Sequence, residues 1–223
     1  MTFSIVARCA RTGQFGMAIS SSSPAVAARC AHVRAGVGAV ASQNITDPAL
    51  GPLVLDRLEA GLSAADALKA VTEGRAHIDY RQILVVDGTG ATAIHSGRQV
   101  LGLWGEAKAT DCAAGGNLLA AELVPMAMVE AFATSKGHLG ERLMLALEAG
   151  LAAGGEAGPV HSAGLKVADR LSWPLIDLRI DWADDPIRML RTAWDIYAPQ
   201  MAAYVQRAED PTQAPSYGVP GDE

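Results

Sequence analysis

The sequence predicts an α+β fold in which two antiparallel sheets lie face to face and helices cover the outside of each, a four-layer αββα sandwich. Two observations predict it. Strand-like runs come in blocks separated by pairs of helix-like runs, rather than alternating one by one as βαβ units do. Of the 223 residues, 50% are hydrophobic and only 5% aromatic, so Ala, Val and Leu must fill a sizeable core. Small branched residues suit the close approach of stacked sheets. The predicted domain spans residues 1–208, and the Pro-, Gly- and Asp-rich residues 209–223 read as a loose C-terminal tail.

The opening run Thr2-Phe3-Ser4-Ile5-Val6-Ala7-Arg8 alternates with period two. Phe3, Ile5 and Ala7 share one face, and Ser4, Val6 and Arg8 the other. Gly13 supplies the positive φ of a tight hairpin turn, and Phe15 to Ser20 form the return strand. Ser20 to Arg34 is rich in small residues and fits neither period. Val37 to Gln43 reads as a buried third strand. Pro52 opens a helix that Gly61 closes. Ser63 caps a second helix, with Asp66 at its third position. Gln82–Val86 and Ala91–His95 flank the turn Asp87-Gly88-Thr89-Gly90, and shorter strands are expected at Val100–Leu103 and Ala109–Ala113. Gly115-Gly116-Asn117 is expected to open a helix from Leu118 to about Ala133, with Pro125 kinking it or marking a break. Leu139, Leu143, Leu147 and Leu151 mark one face of the next helix. Strands at Ala163–Val167 and Leu175–Ile180 follow. Asp185-Pro186 starts a last helix, with a stripe of Ile187, Leu190, Trp194, Tyr197 and Met201.

Charge and motif content exclude several function classes. A net charge of -6 with no basic block argues against nucleic-acid binding. Cys9, Cys30 and Cys112 are odd in number and far apart, which suits a reducing compartment and neither a disulfide framework nor a zinc site. The start has no signal-peptide pattern, and no run of ~20 apolar residues spans a bilayer. The expectation is a soluble cytoplasmic protein with no membrane partner. The five histidines have no ligand spacing, so no metal is expected. Gly36-Val37-Gly38 lacks the helix and lysine of a phosphate loop.

Thr2 carries the sharpest chemical signal. Removal of Met1 places a hydroxyl and a free α-amine on one residue at the head of a hairpin. The ordinary pKa of such an amine, near 8, suits a general base at cellular pH, and the Thr/N-terminal-amine pair activates an otherwise weak hydroxyl nucleophile. A small second residue that merely permits methionine removal is the plainer reading.

Several stretches together carry a resemblance. They are Thr2–Arg8, Arg34-Ala35-Gly36-Val37-Gly38-Ala39-Val40-Ala41-Ser42-Gln43, Gly51-Pro52, Arg81-Gln82 before Val85-Val86-Asp87, Gly116-Asn117, and Ile176–Ile180 with Asp185-Pro186. The chain resembles the family catalogued as domain of unknown function 1028, over residues 2 to about 200. It is similar more broadly to N-terminal-nucleophile (Ntn) hydrolases, which have the αββα architecture of proteasome subunits and isoaspartyl aminohydrolases. The resemblance implies Thr2 as catalytic nucleophile. Arg34 stands near the place of the proteasome-like lysine that lowers the amine's pKa, or is a surface arginine. The chain departs from that pattern in two ways. No lysine precedes Lys69, and Ser20-Ser21-Ser22-Ser23 replaces the acidic residue after the second strand. Ser21 and Ser22 either bind Thr2 or substrate, or form a polar turn. Gly116 and Asn117 are candidate oxyanion donors, with helix capping as the alternative for Asn117. Gln43 and Gln82 either line the pocket or make buried hydrogen bonds. The expected activity is cofactor-free cleavage of a small amide or carbamoyl compound. The alternative is a non-catalytic relative that binds a small ligand or acts in assembly. A homodimer is expected in either case.

Overall fold

The structure of the protein is a computed structural model and describes residues 2–221. Met1, whose removal the Thr2 chemistry requires, and Asp222–Glu223 of the expected tail lie outside the described residues. The chain opens with β1 (Thr2–Arg8), β2 (Phe15–Ser21), the short helix α1 (Val26–Cys30), β3 (Ala31–Arg34) and β4 (Gly38–Asn44). Helices α2 (Leu50–Glu59) and α3 (Ala64–Thr72) follow, then β5 (Arg81–Asp87), β6 (Thr92–Ser96), β7 (Gly105–Ala109) and β8 (Cys112–Asn117). Next come α4 (Val124–Thr134), α5 (Leu139–Ala152), β9 (Ser162–Ala168), β10 (Ile176–Ile180), α6 (Pro186–Tyr197) and α7 (Met201–Glu209).

The strands form two antiparallel sheets, in the orders β10-β9-β2-β1-β8-β7 and β3-β4-β5-β6. The period-two pattern of β1 decides which side chain enters which layer. Phe3, Ile5 and Ala7 pack with Phe132 of α4 and Leu139, Leu143 and Leu147 of α5. Val6 joins Met17, Ile19, Ala39, Ala41, Leu84, Val86 and Ala113 between the sheets. The opposite faces of β4 and β5 (Val40, Ile83, Val85) pack on Leu50, Val54 and Leu55 of α2 and on Leu68 and Val71 of α3. The result is the αββα order of layers. Each fully buried Val, Leu or Ile side chain contributes about 1.5–3 kcal/mol, so these three clusters are the main stabilising term. Contact is close where β2 meets α5: a Cβ on Gly16 would lie 2.8 Å from Leu143 Cδ1.

Most expected elements form. Gly13 adopts φ 75° in the first hairpin turn. Ser63 caps α3 by accepting the Asp66 N–H, and Asp185 caps α6 by accepting that of Arg188. The stretch Ser20–Arg34 that fitted neither period holds α1 and the edge strand β3. Three expectations need correction. The strand expected at Val100–Leu103 forms instead at Gly105–Ala109. The last turn of the leucine stripe on α5 fails, since Leu151 is 40% exposed. Gly115-Gly116-Asn117 does not open a helix; it ends β8, which is paired on both sides. The helix starts only at Val124, and Pro125 lies in its first turn, where its missing N–H costs nothing, so it marks the start rather than a kink. No helix among the described residues is long and apolar enough to cross a membrane.

Candidate functional site at the head of the first strand

Thr2 begins β1, a central strand of its sheet, and is 4% exposed. Its side chain follows the parity of Ser4 and Val6 and points between the sheets. The ladder sets its neighbours. Thr2 pairs with Asn117 of β8, and one step beyond the Phe3–Ser20 pair it stands opposite Ser21 of β2. Three polar side chains therefore line up across the head of the sheet. Thr2 Oγ1 donates to Ser21 Oγ at 3.4 Å. Ser21 Oγ also accepts the Ser23 N–H at 3.0 Å, so the serine run makes a turn and supports Thr2 at once.

Beneath this row lies a buried amide network. Ser4 Oγ donates to Gln43 Oε1 at 2.6 Å, and Gln43 Nε2 donates to Gln82 Oε1 at 2.8 Å. Gln82 Nε2 serves Ser96 Oγ and the carbonyls of Gly105 and Gly116. Asn117 Nδ2 reaches Gln82 Oε1 at 3.4 Å, while Asn117 Oδ1 has no hydrogen-bond partner among the described residues. Gln43 and Gln82 thus bridge the two sheets and orient Asn117.

The third group comes from the connection between α5 and β9. Glu156 pairs through its backbone with Leu119, and its Oε1 accepts the Ser22 N–H at 3.0 Å. The residue is 4% exposed, and Oε2 has no partner among the described residues. Burial pushes the Glu156 carboxyl pKa up, opposed by the Ser22 hydrogen bonds and the nearby His161. The His161 N–H donates to Ser21 O at 2.8 Å, and its ring stacks on Trp182 at 4.4 Å. Glu156 and His161 did not stand out in the sequence. Glu156 sits in a Gly-rich loop without period, and nothing local marks it as a buried charge.

Two predicted site residues need correction on geometry. Arg34 is not at Thr2. It ends β3 and is held by Asp56 at 2.8 Å and Glu59 at 2.6 Å, both on α2. It pairs with Gly38, whereas Gln43 lies at the Thr2 end of β4. At ~3.3 Å rise per residue those two β4 positions are roughly 17 Å apart. Gly116 is a ladder residue paired with both Phe3 and Gly105, not a helix N-terminus. The amides that follow are engaged as well: Leu118 N–H on Leu101 O, and Leu119 N–H on Leu103 O. The polar side chain beside Thr2 on this strand is then that of Asn117, its partner in the ladder. A cleft of about 450 Å³ lined by Arg8, Arg11, Lys136 and Arg142 opens at the other end of β1. Among the described residues, no group of three or more His, Cys, Asp or Glu is placed to hold a metal ion.

The central strand of the αββα sandwich thus starts at a buried threonine. The chain belongs to the family described as a family of unknown function, DUF1028, whose pattern matches residues 2–190. The crystal structure of a DUF1028 protein from Silicibacter pomeroyi is 31% identical, with a TM-score of 0.82 over 88% of this chain and 89% of that one. Anbu (ancestral beta-subunit) from Yersinia bercovieri is 11% identical, with a TM-score of 0.40 over 91% of this chain and 97% of that one. A Gly-1 mutant of Anbu from Hyphomicrobium sp. strain MC1 is 13% identical, with a TM-score of 0.41 over the same shares. None of the curated proteins matches the chain.

Proposed function

We propose that the protein is an Ntn-type amidohydrolase acting on a small amide or carbamoyl compound, with Thr2 as its nucleophile once Met1 has been removed. The observation that carries this reading is the buried row Ser21–Thr2–Asn117, in which the Thr2 hydroxyl already lies 3.4 Å from a second hydroxyl. In the reaction Thr2 Oγ bonds to the substrate carbonyl carbon and gives its proton to the Thr2 α-amine. The carbonyl oxygen, now negative, faces the Asn117 amide. The C–N bond breaks as the leaving nitrogen takes the proton from the α-ammonium. Water then hydrolyses the threonyl ester. This chemistry uses no cofactor. Ser22, Gln43 and Gln82 support the row from below and beside it, and Arg34 has no part in it. The three free buried thiols suit the cytoplasm.

Mass spectrometry of the intact purified protein and an acyl-trapping probe test the reading together. The expected protein begins at Thr2, a β-lactone adds to Thr2 Oγ, and Thr2→Ala abolishes the adduct. Absence of any adduct across a panel of β-lactones and vinyl sulfones, in protein that begins at Thr2, overturns it. The second reading, a non-catalytic relative that binds a small ligand, draws support from the burial of Thr2, which is 4% exposed. It gains if Met1 is retained.

A further inference from the structure

The carboxyl of Glu156 lies across the end of the first strand. Two segments leave the head of the sheet on either side of β1. On one side β2 ends at Ser21 and runs on to Ser22; on the other β8 ends at Asn117 and runs on to Leu119. Glu156 spans both, with its backbone bridged to Leu119 and its Oε1 on the Ser22 N–H. The Thr2 nitrogen begins the strand between them. Two buried acceptors at this place, Glu156 Oε2 and Asn117 Oδ1, lack donors among the described residues. Buried polar groups are rarely left so, and a buried carboxylate is the costlier of the two. A chain that begins at Thr2 places an ammonium, with three N–H donors and one positive charge, at the head of this strand.

We propose that Glu156 is the positioning residue for the Thr2 α-amine, its Oε2 accepting a hydrogen bond from that nitrogen. The proposal rests on Thr2 being the terminal residue of the working protein. Glu156 forms no bond to substrate and stays ionised. It stabilises the ammonium that forms when the amine takes the Oγ proton, as a buried carboxylate stabilises the imidazolium of a Ser-His-Asp triad. It also fixes the nitrogen beside its own hydroxyl, so that the lone pair is not lost to solvent.

The test uses the full chain prepared to begin at Thr2, with Glu156→Gln beside it. The pH profile of acetic anhydride acylation of the Thr2 amine, followed by mass spectrometry, gives the amine pKa in each. Removal of the carboxylate is expected to lower it by at least about one unit, which is a tenfold change in the neutral fraction below the pKa. Glu156→Asp restores part of the shift. Identical profiles in two folded proteins overturn the proposal. Should Glu156→Gln fail to fold, the unsubstituted chain is compared before and after Nα-acetylation. Loss of the cation then lowers the folding equilibrium constant about tenfold at pH 8, and by less at pH 4 as the carboxylate takes up a proton. Equal stability of the two forms at pH 8 overturns the proposal. Parallel β-lactone labelling separates the two readings. An adduct with an unshifted amine removes Glu156 alone; a shifted amine with no adduct removes the hydrolase and keeps the pair.

Discussion

Thr2 and Asn117 face each other across the β1–β8 ladder, and the Asn117 amide is tied back to Gln82 rather than to Thr2. A donor held in that way is oriented before substrate arrives, which is what stabilising a developing oxyanion requires. Asn117→Ala is expected to slow β-lactone acylation of Thr2 by about 10²–10³, the usual cost of losing one oxyanion donor. Stability should change little, by on the order of 1 kcal/mol, because Gln82 Oε1 keeps its 2.8 Å bond from Gln43. A rate within threefold of the parent, in a folded variant, removes Asn117 from the mechanism.

Gln43 and Gln82 act as one unit. Gln82→Leu strips a partner from Gln43, Asn117, Ser96 and two backbone carbonyls at once. Each orphaned buried group costs about 1–3 kcal/mol, though relaxation recovers part of the sum, so a loss of roughly 3 kcal/mol is expected in urea unfolding. Gln43→Leu should cost a similar amount, because it strips a partner from Ser4 Oγ, Gln82 Oε1 and the Gly115 carbonyl. The double variant should cost less than the two added together, by about 0.5–3 kcal/mol, since each change already breaks their shared bond. Strict additivity would show that the two amides are independent.

The strands and caps were legible because their signals are local. Period-two alternation in β1 places Phe3 and Ile5 on one face, and Ser63 and Asp185 cap whatever surrounds them. The errors arise where long-range pairing decides. Gly115-Gly116-Asn117 looks like a helix start, yet β1 and β7 draw it into a ladder from both sides. Arg34 sits at a suggestive distance in sequence, but the carboxylates that claim it lie on α2. Thr2, Ser21 and Asn117 come together as a row only through strand order, which composition does not reveal. Glu156 was invisible because its meaning is its burial, and burial of a loop carboxylate is set by the segments around it.

The α5–α6 contact is expected to carry an acid-sensitive step. Burial works to raise the Glu141 pKa, but hydrogen bonds from Arg191 at 2.7 Å and Trp194 Nε1 at 2.7 Å outweigh it and hold the carboxyl below the usual range. A folded pKa lowered in this way gives stability that is full above the ordinary glutamate range and is lost as pH falls through the lowered value. With Trp104, Trp173 and Trp182 replaced by Phe, Trp194 fluorescence should report that step in acid. Arg191→Met should lower the urea midpoint at pH 7 and converge on the parent in acid. A constant difference at all pH values would mean that the contact is held by packing alone.

The three thiols should differ sharply in reactivity, although all are buried. Burial acts to raise the pKa of each. At Cys9 that effect is outweighed, first by the hydrogen bond from the Thr12 hydroxyl, then by the N–H groups of Thr12 and Arg11 and by the charge of Arg142, so its pKa is lowered. Cys9 also lines the cleft that holds Arg11 and Arg142, which gives a reagent a route to it. At Cys30 burial wins over Thr46, and the pKa rises. Cys112 has no exposure, and burial pushes it up to about 11. The thiolate is the reacting form, so iodoacetamide at pH 7.5 should modify Cys9 first, with Cys30 and Cys112 reacting only as the chain unfolds. Thr12→Ala removes the largest lowering effect and should slow Cys9 alkylation several-fold without moving the other two. Peptide mapping of the alkylated chain reads the order. Equal modification of all three sites in native protein, or an unchanged Cys9 rate in Thr12→Ala, would show that access rather than thiolate stability sets the reactivity.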